Sequence, residues 1–374
     1  MGGLYGSISG GGSISGSGSI SGSGSSNSSD IITMDSPPLD NQTEFEAHPQ
    51  LLLTSEGERL TVIVKATFEI HGPQGELRLA PPERTRPVRP GDLPWEDPEV
   101  DSIKYPCDVT PEKPGTDVVV VATAYPPQMQ PSKEFDVYVR VGSLQKGLRI
   151  YGLRVWEAGG AGLSSPRPIS RLDVRYDYAW GGRDESVEGK IAEEPRNPVG
   201  RGVAVAASSL THQLGPHIED PSHLIRSAST KPPPAGFGAL GRSFSPRREL
   251  TGTYDELWKE FRCPLPPKDQ SPSVHQCASP GLIATPPLRG DEACALLNLT
   301  PSGPLQFNLP AVNLRCEFHC QGRPPAVVTP TLNTVLIDTW VMGLGDPPCV
   351  ELVWCASTKA PRRMTDCLIV IRET

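Results

Sequence analysis

Residues 102–127 read SIKYPCDVTPEKPGTDVVVVATAYPP, and the fold is read outward from them. Asp117-Val118-Val119-Val120-Val121-Ala122 is apolar, β-branched and too short for an ordinary helix. Pro114-Gly115 precedes it and Pro126-Pro127 follows, so both ends are punctuated. Consecutive rather than alternating apolar residues bury both faces of a strand, which places this one at the centre of a sheet or sandwich. Ahead of it, Tyr105-Pro106-Cys107-Asp108 and Glu112-Lys113-Pro114-Gly115-Thr116 set charges beside prolines, whose fixed φ stiffens the backbone. The segment reads as a rigid polar loop feeding a central strand.

On the N-terminal side, residues 50–54 and 59–70 flank a turn at Glu56-Gly57-Glu58 and read as a β-hairpin. In its second strand Leu60, Val62 and Val64 share one face, opposite Thr61, Ile63 and Lys65. A short strand over 76–80 and a proline-studded loop around Trp95 follow. On the C-terminal side, 133–141 alternates cleanly, turns over 142–147 and returns over 148–157 as a half-buried hairpin. Residues 169–177 read as one strand, and YDELWKEF (254–261) as the one good helix, with Thr253 as its cap. Strands over 305–309, 313–320, 334–341 and 349–356 read as a meander, and a final strand over 366–372 closes the chain. The sum predicts a mainly β fold: antiparallel sandwich-like sheets, long proline-rich irregular loops and one short helix.

Residues 1–40 form a Gly/Ser-rich stretch, carrying a recurring Ser-Ile-Ser, that reads as a disordered tail and passive tether. An N-terminal β region (41–163), an irregular covering region (164–300) and a C-terminal β region (301–374) follow, expected to form one compact unit. With 35 Lys+Arg against 43 Asp+Glu the net charge is −8, which argues against a nucleic-acid partner. The 42 prolines and 37 glycines forbid long helices and favour short strands joined by stiff loops. No secretory signal, membrane-length apolar run or CxxC pair is visible, so the nine cysteines read as reduced thiols of a cytoplasmic protein with no membrane partner.

Motifs of chemistry are scarce. His212, His217, Glu219, Asp220 and His223 crowd into THQLGPHIEDPSH, but prolines deny them a helix face, so the stretch reads as surface loop; a metal-dependent hydrolase using it is the rival reading. Cys316 and Cys320 share one face of a strand with His319 opposite, which suits buried free thiols better than a zinc site. Gly-rich AWGGR and NPVGRG lack the spacing of a phosphate-binding loop and read as tight turns. No G-x-S-x-G or H-E-x-x-H occurs.

Taken as an ordered set, Lys65-Ala66-Thr67-Phe68, Tyr105-Pro106-Cys107-Asp108, Lys113-Pro114-Gly115-Thr116-Asp117-Val118, Tyr178-Ala179-Trp180-Gly181-Gly182, Asn197-Pro198-Val199-Gly200-Arg201-Gly202, Ile218-Glu219-Asp220-Pro221, Pro246-Arg247, Gly252-Thr253-Tyr254-Asp255 and Glu351-Leu352-Val353-Trp354 resemble the bacterial family catalogued as domain of unknown function twenty-one sixty-nine. The resemblance spans roughly residues 60–356 and departs from the pattern at His217 and Cys355. It implies a non-enzymatic adaptor or chaperone of type VI secretion, without cofactor or metal, that helps load an effector bearing a PAAR or PAAR-like domain onto the VgrG spike. A structural part secreted with the spike is the other reading it leaves open. The candidate protein-binding or motif residues are Trp95, Tyr105, Asp108, Lys113, Asp117, Trp180, Gly181, Gly182, Arg183, Asn197, Gly200, Glu219 and Arg247. Among them Trp95, Tyr105, Trp180 and Arg183 are of the types enriched at interface hot spots.

Overall fold

Strand Gly57–His71 sets the frame of the molecule. Leu60, Val62, Val64, Ala66, Phe68 and Ile70 alternate onto one face and enter the main apolar core. Each but Ala66 contributes roughly 1.5–3 kcal/mol on burial, so a one-residue slip would forfeit the whole set, and this fixes the register. Ile63, Lys65, Thr67 and Glu69 occupy the opposite face and are buried as well. The computed structural model describes residues 36–374 except 73 and 99.

The expected hairpin is present: Glu46–Thr54 pairs antiparallel with Gly57–His71, from Thr54 opposite Gly57 to Glu46 opposite Lys65. Across the sheet the order is Ile283–Ala284, Thr116–Val121, Thr331–Asp338, Cys349–Lys359, Gly57–His71, Glu46–Thr54, with Glu76–Leu79 also paired to Gly57–His71. Pro49 lies on the outer strand, where a missing N–H discourages further strand addition. A second, antiparallel sheet runs Ile218–Glu219, Leu144–Tyr151, Glu134–Val141, Ala293–Leu297, Leu305–Asn308. A third runs Leu39–Asn41, Cys367–Glu373, Leu314–Cys320, Ala326–Val328. Inward side chains of all three, such as Val62, Val139 and Phe318, belong to one apolar cluster. The fold is mainly β, with mostly antiparallel sheets and one α-helix among the described residues.

Several expectations are corrected. Thr116–Val121 is fully buried as foreseen, yet it lies one strand in from an edge, and its long partner Thr331–Asp338 runs parallel to it. The C-terminal strands do not form a meander: they distribute over all three sheets, because their partners lie far away in sequence. Of residues 169–177 only Leu172–Asp173 is strand, paired with Thr123–Ala124. The turn after Glu134–Val141 is confined to Gly142 and Ser143, since Leu144–Tyr151 already pairs from Leu144. The helix is Glu256–Phe261 and its cap is Asp255, which accepts from Trp258 N, while the Thr253 hydroxyl donates to Asp269. The reading of a tail over 1–40 lies outside the described residues up to residue 35. Its far end is ordered: Leu39–Asn41 pairs parallel with Cys367–Glu373. Cys320, expected as a free thiol, is disulfide-bonded to Cys367, which faces it across neighbouring antiparallel strands, whereas Cys316 is free and buried.

Candidate functional site

The second face of the large sheet carries charge under a lid of loop. Lys65 has no exposed surface, and its Nζ lies 2.8 Å from both Asp108 Oδ2 and Glu351 Oε2. Arg89 reaches Asp108 at 2.8 Å and Glu351 at 2.7 Å, and Arg86 bridges Glu351 at 2.7 Å and Asp338 at 2.8 Å. The Tyr105 hydroxyl donates to Asp338 Oδ2 at 2.7 Å. Three cations (Lys65, Arg86, Arg89) thus meet three carboxylates (Asp108, Asp338, Glu351), and the cluster is neutral. Burial pushes the Glu351 carboxyl up, but the fields of Lys65, Arg89 and Arg86 overcome it and hold the group down at about 2. Lys65, Asp338 and Glu351 come from the sheet, Arg86, Arg89 and Asp108 from the proline-rich loops and Tyr105 from the short strand Ile103–Tyr105 between them, so the ion pairs staple loop to sheet.

The same loop continues into a second pair. Lys113 Nζ donates to Asp117 Oδ2 at 2.7 Å and to Thr334 Oγ1 at 3.0 Å, and Cys277 N donates to Asp117 Oδ2 at 2.8 Å. Burial lowers the Lys113 ammonium, and the Asp117 carboxylate more than offsets this, leaving it above its ordinary value. Trp95 packs edge-on against Trp340 at 5.9 Å, and the Lys104 ammonium sits over the Trp340 ring with Trp95 and Tyr105 around it. Burial lowers that ammonium to about 8.

Trp180, Gly181, Gly182, Asn197 and Gly200 form a different unit. Trp180–Gly181 runs parallel to Arg201–Gly202, and the Asn197 amide donates to Tyr176 O and Trp180 O, both at 3.0 Å. Gly181 has φ +153°, and a Cβ there would strike Asn197 O; one on Gly200 would strike the Asn197 amide. Trp180 is buried with Trp156, Leu210 and Ile225 in a small apolar cluster. Glu219 pairs with Arg154 and accepts from Ile225 N at 2.8 Å, while burial raises its carboxyl above the usual range. Arg247 is buried and donates from Nε and Nη2 to Val274 O, both at 3.1 Å.

The four residues of hot-spot type, Trp95, Tyr105, Trp180 and Arg183, do not share one exposed surface. Trp180 is core, and Trp95 and Tyr105 are half-buried against the loop staple. Arg183 alone is exposed; it pairs with Glu185 and lines a groove of about 940 Å³ with Gly200 and Arg242. The histidine stretch, expected as surface loop, is buried over 215–219 because Ile218–Glu219 joins the edge of the second sheet, and its histidines do not converge. His217 Nδ1–H donates to Tyr151 O at 3.1 Å, His223 lies 3.3 Å from Asp220, and His212 is exposed. Among the described residues no group of three His, Cys, Asp or Glu is placed to hold a metal ion, and no helix is long and apolar enough to cross a membrane.

Sequence reasoning missed one constellation of nucleophile type. Lys146 Nζ donates to Ser279 Oγ, which also lies 2.7 Å from Tyr176 Oη, and burial brings the Lys146 ammonium down to about 8. Ser279, however, has no exposed surface and donates its own proton to Gly236 O at 2.7 Å. As it stands the trio ties three segments together and presents nothing to a substrate. No signal in the sequence joins these residues, 133 positions apart along the chain.

No curated protein matches the chain, and no solved structure does. A family model described as "uncharacterized protein conserved in bacteria (DUF2169)" matches residues 55–354. That span runs from the turn of the first hairpin to Trp354 and takes in Lys65, Asp108 and Glu351. The chain belongs to the bacterial family DUF2169.

Proposed function

We propose that the chain is a non-enzymatic adaptor of type VI secretion, working in the bacterial cytoplasm. It binds an effector that carries a PAAR or PAAR-like domain and helps load it onto the VgrG spike. The observation that supports this reading best is the neutral cluster of Lys65, Asp108 and Glu351 with Arg86, Arg89 and Asp338. These charges are consumed in holding the proline-rich loop against the sheet. A loop surface stiffened in this way loses little entropy when a partner engages it. The secretion context comes from the family resemblance of the motif set.

Co-purification of the tagged full chain with a PAAR-domain effector or VgrG encoded beside it tests the reading. Retention of one or both is the expected result. Folded protein that retains neither would overturn it, and so would a stoichiometric metal lost on replacing His217 and Glu219. One observation favours the second reading, a part exported with the spike: the Cys320–Cys367 disulfide suits an oxidising compartment better than a reducing cytosol. Appearance of the protein in secreted material, dependent on a working spike, would select that reading.

A further inference from the structure

The helix Glu256–Phe261 stands clear of the core: only Trp258 is half-buried, and the apolar Leu257 and Phe261 are as open to water as the charged residues beside them. None of its residues is buried, and Leu257 and Phe261, one turn apart, are 66% and 75% exposed. Tyr254, just before it, is 53% exposed and packs edge-on against Trp258 at 4.6 Å. Polar groups do the tethering. Trp258 Nε1–H donates to Leu265 O at 2.8 Å, Arg262 Nε to Pro266 O at 2.9 Å, and the Arg262 guanidinium to Ser55 O at the tip of the first hairpin. A surface helix ordinarily turns its apolar stripe to the core and its charges to water. Here the turn is anchored so that the apolar side chains face outward. Single exposed apolar residues need no explanation, but a rigid group of them marks a contact surface.

Charge narrows the partner. Asp255, Glu256 and Glu260 border the patch against two cations, Lys259, which lies 3.7 Å from Glu256, and Arg262, whose guanidinium is held by Pro266 O and Ser55 O. A second copy of this chain, with net charge −8, would bring the same acidic border against itself, and an anionic lipid surface would repel it likewise. We infer that residues 254–261 are a docking face that seats Leu257 and Phe261 in an apolar groove of another protein, edged by Lys or Arg side chains. This rests on the adaptor reading, with the groove on the effector or the spike.

The test uses the full chain, with the neighbouring PAAR-domain effector and VgrG as separate immobilised probes. Leu257→Glu with Phe261→Asp is expected to weaken binding at least about tenfold while leaving the thermal midpoint unchanged. Glu256→Lys with Glu260→Lys is expected to weaken it as well, most at low salt. A photo-crosslinker on Cys263, an exposed free cysteine just past the helix, is expected to capture the bound probe. Equal binding by the wild type and both double variants would overturn the docking face and leave the adaptor reading intact. A wild type that binds neither probe would end both. Self-association abolished by Leu257→Glu, or sedimentation with phosphatidylglycerol vesicles, would also overturn the inference by supplying a different occupant.

Discussion

Lys65 shows how much one side chain can hold. Removing its ammonium would leave Asp108 and Glu351 short of a cation in a region with no exposed side-chain surface to rehydrate them. Breaking a buried pair in this way costs about 3–5 kcal/mol. Lys65→Met is therefore expected to lower the unfolding free energy by that amount in urea titrations; a loss below about 1 kcal/mol would show that the cluster is not what stabilises the loop. Glu351 contributes to the acid dependence beside other lowered carboxylates such as Asp177 and Glu194. Its folded value of about 2 lies below the ordinary 4.5, so on acidification the unfolded chain takes up the proton first. The stabilisation is complete above about pH 4.5 and is lost as pH falls toward 2, a contribution of order 3 kcal/mol. Glu351→Gln should flatten the acid limb between those values, and an unchanged limb would place the titrating group elsewhere.

At the scale of elements, the pieces with local signals were legible and the pieces with remote partners were not. Glu134–Val141 alternates buried and exposed as its sequence alternates, because both faces are set by its own residues. Thr116–Val121 announced its burial through consecutive valines, but not its place in the sheet, since its partner Thr331–Asp338 begins more than two hundred residues later. Lys65 and Glu351 were visible as charges inside apolar strands. That anomaly is the available clue to a buried ion pair; the alternation alone puts Lys65 only on the face opposite Val64. Trp180 and Asn197 were visible as motif residues, yet nothing local separates a hot-spot tryptophan from a core one. Their unit makes its own prediction. Asn197→Ala takes the amide donor away from Trp180 O, while Tyr176 O keeps its bond from Ala179 N; an interior carbonyl left unpaired costs about 1–3 kcal/mol. Amide exchange should rise across residues 176–202 while Gly57–His71 and Cys349–Lys359 stay protected; a uniform rise would mean that the loop unit has no separate stability.

Over the whole molecule, the third sheet gathers what the chain keeps apart in sequence. Leu39–Asn41, at the start of the described residues, lies beside Cys367–Glu373 at the end, and that last strand is tied to Leu314–Cys320 by the Cys320–Cys367 bond. The bond closes a loop of 47 residues, which restricts the unfolded chain by roughly 4 kcal/mol in the chain-entropy account. It also divides the nine cysteines into a bonded pair and the free thiols Cys107, Cys263, Cys277, Cys294, Cys316, Cys349 and Cys355. Of these, Cys277, Cys294, Cys316, Cys349 and Cys355 are buried, and burial raises their thiols, so they resist modification until the protein unfolds. Maleimide labelling followed by intact mass therefore has a sharp expected outcome. Native protein should react first at exposed Cys263, denatured protein should take up seven labels, and denatured protein reduced beforehand should take up nine. Nine labels without reduction, in protein isolated under air with thiols promptly blocked, would remove the bond and with it the argument for export alongside the spike. Seven labels in protein recovered from secreted material, against nine in protein blocked inside the cell, would instead place formation of the bond after the chain leaves the reducing compartment.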